Sequence, residues 1–265
     1  MKTRSILLLA ALACGLAPLG LAQAQGMKKV RIATEGAYEP FNYKDANGQL
    51  QGFDVDIAKA LCVKAKFDCE IVAQDWDGII PGLLAHKYDA IVASMSITAE
   101  RKKKVDFTDK YYQTPARFII KKGSGITISP EGLKGKNIGA QRATIHANYL
   151  EQNYKNVANI KLYDTQENAN LDLVAGRLDA ILADSVVLLE GFLKKPQGKD
   201  FTFAGPELRG GVFGDGAGIA VRKGDNALRT AFNKALKEIR ADGTYKKIND
   251  KYFPFDVYGP EPKSS

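Results

Sequence analysis

The chain has 265 residues, with 38 Lys and Arg against 30 Asp and Glu, a formal net charge of +8 and only two histidines. Charges of both signs are mixed along it, which argues against a nucleic-acid partner, and so few histidines narrow the options for acid–base catalysis. The length suits one large domain or two of ordinary size, with enough chain to bury a substantial core.

Lys2 and Arg4 form a positive start, residues 6–12 an apolar run that continues less strictly to Leu21, and Ala22-Gln23-Ala24 a small-x-small cleavage site. This pattern predicts a signal peptide over 1–24, cleaved to leave Gln25 at the mature N-terminus. A transmembrane anchor is the alternative, but Gly15, Pro18 and Gly20 interrupt the run, and a span needs about 20 unbroken apolar residues. Lipidation at Cys14 is a weaker alternative, because Ala11 stands where Leu is usual. Loss of 1–24 removes two basic residues and no acidic ones, bringing the charge from +8 to +6. No later segment is apolar enough to cross a membrane, so the mature chain is expected to be soluble and exported.

The remaining sequence alternates short apolar runs with amphipathic stretches, which predicts α/β construction. Residues 29–34 read as a strand. Gly52-Phe53-Asp54 leads into a helix carrying Val55, Ile57, Ala58 and Leu61 at helical spacing. Strands follow over 69–73 and 88–93, with a helix between them capped at Asp77 and running to Leu84. A second series opens with a strand over 136–140, helices over 146–151 and 169–175 and a strand over 180–183. A long helix over 226–241 stops near Gly243.

Cys62 and Cys69 are an even pair in an oxidising compartment, and a disulfide between them would stabilise the fold by roughly 2–3 kcal/mol. A metal site is the weaker reading, since His86 and His146 lie far from both in sequence. A redox pair would more often read Cys-x-x-Cys.

Residues 84–94 and 174–184 resemble one another. Each reads as a helix end, a tight turn, a buried strand and then a polar residue, Ser94 in one and Asp184 in the other. Two lobes of similar build are therefore expected. Ligands of open α/β sheets bind beyond the carboxyl ends of the strands, so Ser94 and Asp184 would face one another across a cleft. Crossings between lobes are expected near 113–117, at Gln113-Thr114-Pro115-Ala116, and near the Gly-rich 206–216. These divide the chain into one lobe of 25–113 plus 216–265 and another of 117–206.

A zwitterionic ligand needs a cation for its carboxylate and an anion for its ammonium, because an unpaired buried charge is very costly. Three segments carry such groups. In Ser94–Arg101, two hydroxyls follow a buried strand and Thr98 caps a short helix, which places Arg101 to fork onto a carboxylate. On spacing alone, Arg101 reads rather as the start of the solvated run 101–104. Asp184 reads equally as a helix cap or as an anion facing the cleft. Glu35 ends the first strand, and Tyr38, with Trp76 from a separate segment, offers an aromatic face for a cationic stem; Phe41 reads as core. Gly139–Ile145 precedes a helix and is expected to offer its backbone N–H groups to an anion, without the glycines of a phosphate loop. No Gly-x-Ser-x-Gly elbow, phosphate loop, His-Glu-x-x-His or nucleophilic cysteine is found.

Thr34–Phe41, Gly52–Asp56, Asp77–Pro81, Ser94–Arg101, Gly176–Ala180 and Phe213–Gly216 occur in the order in which similar motifs occur in polar amino-acid periplasmic binding proteins of ABC importers. The sequence most resembles the branch binding lysine, arginine, ornithine and histidine, from about Val30 to Tyr258. The resemblance implies a type II periplasmic binding protein, two α/β lobes joined by two hinge strands. It implies that Arg101 holds the ligand carboxylate, with Ser96 and the backbone around Thr144 and Ile145. Asp184 and Ser94 hold the α-ammonium, Tyr38 and Trp76 sandwich the side chain, and Glu35 meets the distal cation. Met95 and Gln141 complete the implied ligand-binding set. Cys62 and Cys69 match the branch's disulfide. The sequence departs from close relatives at Trp76, Ala93, Gln141 and Ile145, and Glu35-Gly36-Ala37 also resembles opine-binding proteins. The resemblance further implies a periplasmic monomer that is not an enzyme, uses no cofactor or metal, and delivers its amino acid to the permease components of an importer. An exported dehydratase on the same fold is the rival reading, with Glu35 as its candidate acid.

Overall fold

The computed structural model describes residues 27–260. The expected signal peptide and Cys14 lie outside the described residues. Within them, no helix is long and apolar enough to cross a membrane.

The chain first builds β1 (Lys28–Thr34), a small hairpin sheet of β2 (Ala37–Tyr38), β3 (Asn42–Lys44) and β4 (Leu50–Gln51), then α1 (Phe53–Ala65), β5 (Phe67–Ala73), α2 (Ile79–Leu84), β6 (Ala90–Ile91), α3 (Ala99–Lys102) and β7 (Val105–Tyr112). It crosses to β8 (Ala116–Lys121), β9 (Asn137–Gln141), α4 (Ile145–Tyr154), β10 (Asn159–Tyr163), α5 (Gln166–Val174), β11 (Ala180–Asp184), α6 (Ser185–Leu188) and β12 (Phe201–Leu208). It then returns to β13 (Ala217–Arg222), α7 (Asn226–Ala241) and α8 (Thr244–Tyr252). Two five-stranded sheets result, ordered β5-β1-β6-β13-β7 and β10-β9-β11-β8-β12. These are the two α/β lobes of a type II binding protein.

Both sheets are covered on both faces, and the strand period of two sorts their residues between the covers. In the first lobe Val30, Ile32, Ala90, Ile219 and Val221 face α1, α7 and α8, whereas Ala33, Ile91 and Ala220 face α2 and Trp76. In the second, Phe118, Ile120, Ala180 and Leu182 face α4, whereas Ile119, Ile181 and Ala183 face α5 and Phe192. Each large apolar side chain buried this way contributes about 1.5–3 kcal/mol relative to exposure.

The two similar stretches form matching units. His86 (φ 59°) and Gly176 (φ 71°) occupy equivalent places after α2 and α5, the left-handed conformation that ends a helix. Three residues on, Asp89 accepts the N–H of Arg31 at 2.9 Å and Asp179 accepts that of Asn137 at 2.8 Å. These contacts fix the parallel pairings β1–β6 and β9–β11.

Several local expectations change. The helix expected to be capped at Asp77 begins instead as a 3-10 turn, Trp76–Gly78, followed by α2. Only Ala90–Ile91 of the expected strand 88–93 is ladder-paired, because the chain bends into a left-handed Ser94 (φ 53°). Gly243 (φ 81°) separates α7 from an unforeseen further helix, α8. Cys62 and Cys69 are bonded, with Cα atoms 6.2 Å apart, joining α1 to β5 as expected. Gly52 must be glycine: its φ is 118° and a Cβ there would sit 2.3 Å from the Phe41 carbonyl.

The C-terminal segment lies along the first crossing. The Gln113 N–H donates to the Val257 carbonyl at 2.8 Å, and the Lys110 ammonium donates to the Tyr258 carbonyl at 2.9 Å and to that of Pro260.

Candidate functional site

Strands β1, β6, β9 and β11 all end at one cleft between the lobes, where the parallel strands of each sheet present their carboxyl ends. The cleft holds two adjoining spaces. One, of about 480 Å³, is lined by Asp184, Thr114, Tyr112 and Arg209 among others. The other, of about 300 Å³, is lined by Glu35, Trp76, Arg101, Gln141 and Thr144. Tyr38, Ser94, Ser96, Ile145 and His146 line both.

Arg101 stands in the last turn of α3, whose first N–H groups are capped by Thr98; the Thr98 hydroxyl accepts the Arg101 N–H at 3.2 Å. The following lysines 102–104 are exposed, but the Arg101 side chain turns inward. Its guanidinium lies 5.2 Å from the Trp76 ring centre and donates to the carbonyls of Ser96 at 3.0 Å and Ala143 at 3.4 Å. No carboxylate pairs with it among the described residues. Burial away from water pushes its pKa down to about 10, so it remains a cation at neutral pH. Trp76 also donates its indole N–H to the Ala143 carbonyl at 3.1 Å; one face of the ring is given to Arg101.

Asp184 serves as both cap and cleft anion. One carboxylate oxygen accepts the N–H groups of Val186 at 2.8 Å and Val187 at 3.4 Å, capping α6. The other accepts the Thr114 hydroxyl. Burial outweighs these donors and raises its pKa to about 6.

Glu35, buried just past β1, accepts the Gln141 amide at 2.5 Å across the lobes. Burial is the largest influence on it; the negative charges of Asp75 and Asp54 add to it, the Gln141 amide opposes it, and the pKa is raised to about 7. Thr144 caps α4, accepting the Ala147 N–H at 3.1 Å while donating to the Gln141 carbonyl at 2.7 Å. Its hydroxyl is thereby occupied, and Ile145 opens the helix beside it.

Ser94 is held from behind. Its hydroxyl donates to Asp54 at 2.9 Å, and its N–H donates to the Tyr111 hydroxyl, which itself donates to Asp54 at 2.8 Å. Asn42 adds a further donor to the same carboxylate, also at 2.8 Å. Burial still raises the Asp54 pKa to about 6.

Of the expected set, Glu35, Tyr38, Trp76, Ser94, Ser96, Arg101, Gln141, Thr144, Ile145 and Asp184 line the cleft spaces. Met95 does not: its side chain is fully buried in the core with Trp76, Ile79 and Ile97. Sequence reasoning passed over Asp54, Thr114 and His146. A signal existed for two of them. Asp54 shares a helical stripe with Ile57, Ala58 and Leu61, and His146 shares one with Leu150 and Tyr154. A polar residue on an apolar stripe is either partnered inside or aimed at a site.

The profile of the bacterial extracellular solute-binding proteins, family 3, matches residues 30–255. The chain is 50% identical to the L-arginine-binding protein of Pseudomonas aeruginosa, over 97% of its own length and 99% of the relative's. It is 44% identical, with the same coverage, to the lysine/arginine/ornithine-binding periplasmic protein of Escherichia coli. Among solved structures, an ancestral arginine-binding protein bound to arginine has a TM-score of 0.80 at 39% identity, covering 86% of this chain and 99% of the other. The matched residues span both lobes and the cleft between them, and the chain belongs to the bacterial extracellular solute-binding proteins, family 3.

Proposed function

We propose that the chain captures an L-amino acid with a cationic side chain, arginine, ornithine or lysine, and delivers it to the permease of an ABC importer. One observation carries this reading: a guanidinium without an acid partner and two buried carboxylates line the same cleft, from both lobes. That set of charges is complementary to one carboxylate and two cationic groups. Arg101 takes the carboxylate with Ser96 and the backbone at Thr144 and Ile145. Asp184 takes the α-ammonium, with Ser94 beside it. The side chain lies by Tyr38 and Trp76, and Glu35, steadied by Gln141, meets the distal cation.

Closure drives retention. Arg101 and Glu35 come from the first lobe and Asp184 and α4 from the second, so only the closed form makes every contact, and the ligand favours that form by this difference. The protein acts as an exported periplasmic monomer after removal of residues 1–24, without catalysis, metal or cofactor. The names of the relatives, arginine-binding and lysine/arginine/ornithine-binding, support the ligand class.

Calorimetry of the mature chain against arginine, ornithine, lysine, histidine, glutamine and octopine tests the reading. The cationic three are expected to bind tightest; preference for histidine or octopine would shift the assignment to those ligands within the same site. Glu35, with its raised pKa, is the one group that favours a dehydratase reading, and incubation with cyclohexadienyl substrates followed by product analysis is expected to yield no product.

A further inference from the structure

We propose that the imidazole of His146 donates a hydrogen bond to the carboxylate of the bound amino acid, beside Arg101. The inference rests on the amino-acid-binding reading and adds a residue to it. His146 follows Ile145 in the first turn of α4, and its side chain lines both spaces of the cleft. The residue is 7% exposed. Its ring lies against Phe213, with centroids 6.2 Å apart. Neither nitrogen has a hydrogen-bond partner among the described residues, and neither is fully sealed off, so both remain open to a ligand. A molecule in the cleft can supply that partner.

The chemistry selects which end of the ligand this is. Burial, with the positive charge of Arg101 added, pushes the imidazole pKa down to about 3. The ring is therefore neutral at working pH, with one N–H and one lone pair. Ser96, Arg101 and Ile145 line one of the two spaces together with His146, so a group held by Arg101 is within its surroundings. A carboxylate has about four lone-pair directions and a forked guanidinium fills two. A neutral N–H can fill another without adding a second buried cation beside Arg101. Ile145 has no side-chain donor, so the neighbouring imidazole is placed to supply what that position lacks.

Two measurements test this. In calorimetry with L-arginine, His146→Leu is expected to weaken binding roughly tenfold or more, the range for a hydrogen bond to a charged group. His146→Gln, which keeps an N–H donor, is expected to stay within roughly threefold. In wild-type protein labelled with nitrogen-15 at histidine, only His86 and His146 contribute, and His86 is exposed. Addition of L-arginine is expected to move the protonated ring nitrogen and its proton of His146, leaving His86 unchanged. The assignment is overturned if His146→Leu binds L-arginine within twofold of wild type, or if the saturated protein shows no change at the His146 N–H. A change confined to the unprotonated nitrogen would mark acceptance from the ammonium and overturn it equally. Wild type that binds none of the amino acids would overturn the functional reading along with it; wild type that binds arginine while His146→Leu matches it overturns this inference alone.

Discussion

The units 84–94 and 174–184 run in parallel through their buried Ala-Ile. Each stops a helix with a left-handed residue, anchors a strand through an aspartate, and buries Ala-Ile before reaching the cleft. They then diverge. In the second lobe β11 continues to Asp184, which meets the cleft directly while capping α6. In the first, the ladder ends early and Ser94 turns left-handed, with Asp54 set behind it as the carboxylate. The same scaffold thus puts an acid at one strand end and a hydroxyl backed by an acid at the other. The scaffold fixes where chemistry can be placed; a single terminal residue fixes which chemistry.

The comparison can be broken by removing charges on either side. The largest effect is expected for Arg101→Ala, which leaves the ligand carboxylate uncompensated: about 3–5 kcal/mol, hence a loss of arginine affinity on the order of a hundred- to a thousandfold or more, read by calorimetry. Unchanged affinity would refute its role. Next comes Asp184, where two substitutions separate its two functions. Asp184→Asn keeps a cap and removes the charge, so affinity should fall roughly ten- to a hundredfold with little change in melting temperature. Asp184→Ala should show the same affinity loss and, in addition, about 1 kcal/mol of lost stability.

Glu35 gives a smaller effect and a pH signature. Its pKa rises from 4.5 when unfolded to about 7 in the empty cleft. Between these values the folded protein holds a proton that the unfolded chain has released, so ligand-free stability falls as pH rises through that window and is level above it. A cationic ligand should expel that proton. Titrations in two buffers of different ionisation enthalpy should show proton release near pH 6, reduced in Glu35→Gln to the share supplied by Asp184, whose pKa is about 6. That variant should bind arginine roughly tenfold more weakly and glutamine about as well as wild type. The smallest change in affinity is expected for Asp54→Asn, which meets the cleft only through Ser94. It should lower stability by about 1–3 kcal/mol through disturbed donors while affinity drops only a few-fold. If Asp54→Asn weakened binding as much as Asp184→Asn, the two strand ends would be equivalent after all.

The parts written in local pattern were legible. The long helix over 226–241 follows from its apolar spacing, and the paired units follow from their shared run of residues. What depended on distant neighbours was not. Strands β7, β8, β12 and β13 pair antiparallel across large separations and leave no periodic signature of their own. Arg101 opens a run of basic residues, and on spacing it reads as solvated; only Trp76 and Ala143, far away in the chain, show that it turns inward. Asp184 presented two readings that its geometry combines, since one oxygen caps while the other faces Thr114. Met95 was drawn into the site by its neighbours, whereas its side chain packs into the core with Trp76, Ile79 and Ile97.

The C-terminal segment, pinned to Gln113 and Lys110, acts as a splint on the first linker between the lobes. If that linker bends, the segment has to move with it or detach. A chain cut after Phe253 would swing more freely, its resting balance between open and shut forms would move, and its apparent grip on any cargo would change with every cleft residue intact.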